Sequence, residues 1–305
     1  MFTATSWWTS ANEALKSIGK ELRPVGDLVG RIWSSNERPA ESQQPIVSHT
    51  LAYAGETVLE KLERVAVELR RNGASLTVIS ALDEVAWLFN LRGADIPYNP
   101  FFKSYAIVHV DYRTTLPQLF LNTSQLATSD YPSGVQVFQY AMFWSHLNAT
   151  ASSASVGKIW VSPSVSQAIS SLIPNEKVLL PMANSPVQRV KVRKNPVERQ
   201  GMRDCQVRDA VARMKHLGWL EQQLAEGTSI NETQSSEQLL VYQKQQDRFQ
   251  FPSFSAISAS GDRAAVVHYS AKPATARPIT TNQVYLLDVR EGESGCASSR
   301  SKSVL

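Results

Sequence analysis

A helix that stops at a glycine and runs at once into a β-branched stretch leaves few architectures open. In "AGETVLEKLERVAVELRRNG" (54–73), Leu59, Leu62, Val65, Ala66 and Leu69 recur at helical spacing, and Gly73 falls where a left-handed C-cap is expected. "SLTVISAL" (75–82) follows as a buried strand and "DEVAWLFNL" (83–91) as a short helix. A helix feeding directly into an apolar strand predicts an α/β unit. The pattern continues. "SYAIVHV" (104–110) and "LPQLFLN" (116–122) read as strands paired across the turn at "DYRT", "GKIWVSP" (157–163) as a strand, "SVSQAISSLIP" as a helix closed by Pro174, and "KVLLPM" as a last strand. "VQVFQYAMFWSHLNA" is mixed. Ahead of all this, "TSWWTSANEALKSIGKELR" predicts a short amphipathic helix whose adjacent Trp7 and Trp8 need something to pack on.

The composition changes in "ANSPVQRVKVRKNPVERQ", where prolines and a dense basic patch mark a boundary. Beyond it, residues 195–227 predict a long helix with Val207, Ala210, Val211, Met214, Leu217 and Leu220 as its apolar face. Residues 231–246 predict a second helix, N-capped by Asn231 and carrying Leu239, Leu240 and Tyr242. "SFSAISASG", "AAVVHYS" and "NQVYLLD" then read as an antiparallel set of strands. The charged residues of the long helix, Asp204, Asp209 and Glu221 with Arg203, Arg208 and Arg213, read as a solvated face laced with i,i+4 pairs.

Several functional classes recede on composition. The 305 residues are 43% apolar, enough to fill cores, and a net charge of +4 is too mild to argue for nucleic acid. No stretch approaches the roughly 18 consecutive apolar residues of a membrane span, so a soluble, cytoplasmic chain is expected. The two cysteines, Cys205 and Cys296, make neither a disulfide framework nor a CxxC metal pair, which fits a reducing compartment. HExxH, Walker A and GxSxG motifs are absent.

Two side chains stand out as candidates. Asp288 closes the apolar run "VYLLD", and a carboxylate at the end of a buried strand needs a cation, a metal or hydrogen-bond donors. The simpler alternative is a turn-capping aspartate. His268, in "AAVVHYS", stands at the predicted end of a strand, where an imidazole can face a cleft near neutral pH. The simpler alternative is a histidine without a role.

"SALDEVAWLFNLRGADIPYNPFFKSYAIV" (80–108) resembles the middle domain of the eukaryotic three-domain aminopeptidase P, the Xaa-Pro aminopeptidase of the creatinase/pita-bread metallopeptidase superfamily. "ERQGMRDCQVRDAVA" (198–212) resembles the opening helix of that family's catalytic domain, through Gly201, Met202 and Arg203. "FPSFSAISASG", "AAVVHYS" and "NQVYLLD" resemble the segments leading into its active site, and the likeness covers residues 20–288. The resemblance implies an α/β fold: a complete creatinase-N-like middle domain with a mixed sheet flanked by helices (45–188), then the first part of a pita-bread α+β catalytic domain (189–288). Residues 1–44 are expected as an N-terminal remnant and linker, and 289–305 as a non-homologous, unstructured tail.

The resemblance also implies chemistry. Such enzymes remove an N-terminal residue that precedes proline, using two divalent cations, usually manganese, held by two aspartates, a histidine and two glutamates. Asp288 matches the first metal aspartate and His268 the histidine near the scissile bond. No aspartate follows Asp288, and Glu291 and Glu293 come too early to stand in for the remaining ligands. The expectation is a chain truncated at both ends and inactive as written, with metal not stably held. The alternatives are a non-catalytic partner pairing as a homodimer or with a full-length subunit, and an unstable product with an exposed sheet edge.

Overall fold

The computed structural model describes residues 3–26, 28–34, 36–180, 185–289, 291–293 and 302–304 of the chain. They fall into two compact units. The first comprises Met1–Thr50, Glu56–Ile96 and Pro100–Arg193, and the second Leu51–Gly55, Pro97–Asn99 and Lys194–Leu305.

The first unit opens with helix α1 (Thr5–Lys16). It is tied down through its backbone: Thr5 N–H donates to Val165 O (2.8 Å), and Gln167 N–H donates to Thr3 O (2.7 Å). The tryptophan pair is split, Trp8 half-buried and Trp7 58% exposed. Helix α2 (Val58–Arg71) begins at a capping box. Thr57 Oγ1 accepts from Glu60 N–H (3.2 Å), and Glu60 Oε2 accepts from Thr57 N–H (2.7 Å). Asn72 caps its end and Gly73 takes the left-handed turn at φ +65°. The chain then enters β1 (Ala74–Ile79), α3 (Leu82–Leu88), β2 (Ser104–His109), β3 (Gln118–Leu121), β4 (Gln136–Gln139), α4 (Phe143–Ser152), β5 (Lys158–Trp160), α5 (Gln167–Ser170), β6 (Val178–Leu179) and α6 (Pro186–Lys191).

The six strands form one mixed sheet in the order β4-β3-β2-β1-β5-β6. β1 pairs antiparallel with β2 and parallel with β5, which is the predicted mixed sheet. Strand alternation divides the core between the sheet's two faces. Ala106 and Val108 of β2 and Leu119 and Leu121 of β3 pack with Leu62, Val65, Leu69, Val85 and Val187 of α2, α3 and α6. Ile107 and Phe120 pack on the other face with Phe143 and Leu147 of α4 and Ile169 of α5. The mixed segment at 135–149 resolves into edge strand β4 and helix α4.

The second unit is built on α7 (Pro196–Ala225) and α8 (Glu232–Lys244). Asn195 makes a capping box with Glu198, and its Nδ2 donates to Ala54 O (2.7 Å). Gly55, at φ +70°, lies so close that a Cβ would stand 2.4 Å from Asn195 Oδ1. Asn231 caps α8, as expected, in a box with Gln234. Strands β7 (Phe249–Pro252), β8 (Ile257–Ser260), β9 (Tyr285–Asp288), β10 (Glu291–Glu293) and β11 (Lys302–Val304) complete it. β8-β9-β11 form an antiparallel sheet, and β10 pairs with β7.

Four expectations change here. "AAVVHYS" is no strand: Gly261–Ala265 is a 3-10 turn leading into a loop, started by Gly261 at φ +65°. The face of α7 holds at Leu217 and Leu220, which pack in the core as expected, and departs from the expectation before them. Val207, Val211 and Met214 are 65%, 38% and 73% exposed, while Cys205, Asp209, Ala212, His216 and Leu220 are buried. Tertiary partners for the polar members decide this against hydropathy alone. Asp209 is therefore not on a solvated face; it pairs with Arg213 at 3.2 Å beneath the surface. Cys296 lies outside the described residues, so the reading of the two cysteines falls outside them too. Within 289–305, expected as a tail without structure, Glu291–Glu293 and Lys302–Val304 pair as strands and Val289 is buried. Pairing them covers sheet edges otherwise left open. The remaining residues there lie outside the described ones.

The layering makes a direct prediction. Phe120→Ala, at a fully buried position, should cost about 3–5 kcal/mol. Gln136→Ala, exposed on edge strand β4, should stay within about 0.5 kcal/mol. Urea unfolding of the two variants checks it; equal losses would refute the assignment of faces.

Candidate active site

The two residues singled out in the sequence, Asp288 and His268, lie in the second unit, on β9 and on the loop between β8 and β9. In β9, Tyr285 and Leu287 turn toward the helices and pack with Leu220 of α7 and Leu239 of α8. By the two-residue period of a strand, Leu286 and Asp288 face the other way. Asp288 sits opposite Ile257 in the β8–β9 register. The residue is 7% exposed, and among the described residues its Oδ1 has no hydrogen-bond partner. A buried acceptor with nothing to accept from costs about 1–3 kcal/mol.

The register that places Asp288 is held by a row of polar groups behind it. The Tyr285 hydroxyl lies 2.9 Å from Ser258 Oγ on β8 and 2.8 Å from Ser235 Oγ on α8. Nε2 of His216, on α7, lies 2.9 Å from Ser235 Oγ and 3.0 Å from Ser235 O. The carbonyl can only accept, so Nε2 carries a hydrogen, and among the described residues Nδ1 has no hydrogen-bond partner. Burial drives the His216 pKa down to about 4, against a smaller upward pull from Ser235. Burial likewise holds the Tyr285 phenol above its ordinary value.

His268 is exposed and lies on the 261–278 loop, not in a strand. Its φ is +57°, a conformation uncommon for a residue with a Cβ. Among the described residues its ring has no hydrogen-bond partner. The loop is held from behind by Glu232, the first residue of α8, which is fully buried. Glu232 accepts from the N–H groups of Ser260 and Arg277 and from the side chains of Arg263 and Tyr269. Burial pushes its pKa up, but these donors outweigh burial and hold it below the usual glutamate value.

The sequence picked out Asp288 and His268 but missed Glu232, His216, Ser235 and Tyr285. Glu232 carries one signal, a carboxylate opening a capped helix. Nothing local indicates that its partners are residues 260–277. Among the described residues no group of three or more His, Cys, Asp or Glu side chains could hold a metal ion. Asp288 is a single carboxylate, and the described residues do not make a metal centre.

These features define a class: an α/β domain with a mixed sheet, followed by the opening helices and strands of an α+β peptidase-type domain. The family model described as Creatinase/Prolidase N-terminal domain matches residues 37–198, and that described as Metallopeptidase family M24 matches residues 200–294. The chain belongs to the creatinase/pita-bread superfamily. It is 37% identical over 276 residues to "Probable Xaa-Pro aminopeptidase P" of Coprinopsis cinerea, covering 86% of this chain and 44% of that protein. It is 32% identical over 288 residues to "Xaa-Pro aminopeptidase ApepP" of Drosophila melanogaster, covering 92% of this chain and 46% of that protein. The solved X-prolyl aminopeptidase of Caenorhabditis elegans, described as a cytosolic enzyme with a di-nuclear active site, superposes with a TM-score of 0.91 at 28% identity. That match covers 99% of this chain and 49% of the other. The Xaa-Pro dipeptidase of Bacillus anthracis shares the fold at a TM-score of 0.59 and 16% identity, over 81% of this chain and 64% of the other. The chain thus spans less than half the length of the three aminopeptidases. No helix among the described residues is long and apolar enough to cross a membrane.

His216 should make the second unit acid-sensitive. Its folded pKa of about 4 lies below the ordinary 6.5. The folded state therefore binds fewer protons, and stability present above pH 6.5 is lost as pH falls toward 4, by on the order of 3 kcal/mol. Replacing His216 with Gln, which can still donate to Ser235, should flatten this slope. Urea midpoints at pH 7 and pH 4.5 test it; the same slope in both proteins would assign the acid sensitivity elsewhere.

Proposed function

We propose that this chain carries the middle domain and the first part of the catalytic domain of a metal-dependent Xaa-Pro aminopeptidase and does not turn over substrate by itself. The observation that carries the reading is Asp288. It is a buried carboxylate with a bare Oδ1 at the end of a strand, in a chain that superposes at a TM-score of 0.91 on an enzyme with a di-nuclear site. Asp288 would serve as one metal ligand, and His268 as the group that meets the peptide near the scissile bond. A pair of divalent cations, manganese in the expected case, supplies an activated water and polarises the carbonyl in chemistry of this kind. Hard cations need several ligands, and Asp288 is one, so no step of hydrolysis is assigned to this chain alone. The substrate class of the complete site is peptides with proline in second position. The expected compartment is the cytoplasm, in line with the cytosolic description of the C. elegans enzyme. The domain division follows as 1–44, 45–188, 189–288 and 289–305.

The exposed stripe of Val207, Val211 and Met214 on α7 favours a second reading, a non-catalytic partner that pairs with a second copy or a full-length relative. Apolar side chains in a row on one helix face are an association surface.

The deciding experiment is hydrolysis of an Xaa-Pro peptide by the purified chain in excess manganese, with molar mass measured by light scattering. No turnover is expected. Turnover abolished by a chelator would overturn the reading and show that other residues complete the site. Strictly monomeric protein would remove pairing with a second copy, and failure to co-purify with a full-length relative would remove the rest of the second reading.

A further inference from the structure

We infer that Glu232 is the positioning residue of the His268 loop: one buried carboxylate holds residues 260–277 as a folded loop and so fixes where the imidazole stands. This deepens the role given to His268 above and rests on that reading.

Beyond Glu232, the loop is tied by the Arg277–Asp262 ion pair and by Ser260 Oγ donating to Pro278 O at 3.0 Å, and it buries little apolar surface. Val266 and Val267 are 54% and 82% exposed, and among the described loop residues only Ser260 and Ile279, at its two ends, are deeply buried. A segment with so little apolar burial gains its order from hydrogen bonds. Four of those bonds converge on Glu232. Oε1 accepts from Ser260 N–H at 2.9 Å, where the loop leaves β8. Oε2 accepts from Arg263 Nη1 at 2.7 Å, Tyr269 OH at 2.8 Å and Arg277 N–H at 3.0 Å. The donors thus come from the loop's entry, first turn, middle and exit. Arg263 extends the hub, its Nη1 also reaching Tyr269 OH (2.6 Å) and Thr275 O (2.7 Å). On the helix side, Glu232 N–H donates to Arg277 O at 3.1 Å and Ile279 N–H donates to Ile230 O at 2.8 Å.

The link to His268 is one residue long. Tyr269 follows it directly, and Tyr269 N–H closes a turn onto Val266 O at 3.2 Å. Within that turn His268 holds φ at +57°. A non-glycine residue keeps such a conformation only where its surroundings over-determine it. The over-determining contact is the Tyr269 hydroxyl on Glu232. Release of Tyr269 frees His268 to return to an ordinary φ, which re-aims its side chain.

The test is hydrogen–deuterium exchange on the full chain together with the His268 ring resonances in 1H–13C NMR. In Glu232→Gln, exchange across 261–277 should rise by about tenfold or more, the scale of one lost charge-assisted bond, with the first unit unchanged. The His268 resonance should move toward its unfolded-chain position, a shift that simple destabilisation of the helices would not produce. Tyr269→Phe removes the hydroxyl's bonds to Glu232 and Arg263 but leaves the other three donors on Glu232, and should give the same pattern, smaller. Unchanged loop exchange and an unchanged His268 resonance in Glu232→Gln would overturn the inference. So would a Glu232→Gln protein that fails to fold while Tyr269→Phe behaves as wild type. Absence of peptidase activity bears on the role given to His268 and leaves these readouts untouched, so the two failures are distinguishable.

Discussion

A carboxylate removed from water remains charged only where donors replace the solvent it has lost. At the first turn of α8, Glu232 meets that demand with two backbone amides, a phenol and a guanidinium. Its placement depends in turn on Asn231, whose side chain accepts from the N–H groups of Thr233 and Gln234 and fixes where the helix begins. Capping, burial and loop order are therefore one connected arrangement. Moving the helix start by one residue would turn the carboxylate about 100° around the axis, away from all four donors.

The two units solve the same packing problem with different chemistry. The first is layered in apolar side chains on both faces of a mixed sheet, and its buried polar groups, such as Lys61 on Trp87 O and Ser185 on Glu84, pair around those layers. In the second, α7 and α8 meet through His216, Ser235 and Tyr285 as well as through Leu220 and Leu239. A polar contact specifies geometry more tightly than an apolar one, because each donor must find an acceptor at a set distance and direction. It also makes the arrangement sensitive to protonation, since an imidazole kept neutral by burial resists acid only down to its lowered pKa.

This difference explains what could be read from the sequence. The first unit was legible because hydrophobic period and turn chemistry agree there. Leu62, Val65, Ala66 and Leu69 repeat at helical spacing and are buried, and Gly73 takes the left-handed turn that its position predicts. In α7 the two signals part. The apolar stripe of Val207, Val211 and Met214 is what a hydropathy pattern finds, whereas Asp209 and His216 are what the fold buries. Burial of these polar groups follows from partners on other elements, which no local window contains. The "AAVVHYS" segment misled in the same way. Its β-branched residues have strand propensity, but Gly261 and the pull of Arg263 toward Glu232 fold it into a turn. Asp288 was legible because an apolar run ending in an acid is a local feature. The row of Tyr285, Ser258 and Ser235 that places it was not.

Asp288 shows why that hidden row matters. Side chains alternate along a strand, so a slip of one residue in the β8–β9 register would turn Asp288 toward the apolar helices and Leu287 away from them. Such a slip would also pull the Tyr285 hydroxyl from Ser258 and Ser235 together, leaving buried polar groups unpaired on two strands and a helix. The cost of those losses, about 1–3 kcal/mol for each orphaned group, opposes the slip more sharply than the exchange of one leucine contact for another. The bare Oδ1 of Asp288 is a polar group whose own hydrogen bonds do not fix its place. It is held instead by the satisfied groups on the opposite face of the same strand. A strand can thus carry an unsatisfied carboxylate on one face because the other face admits only one register.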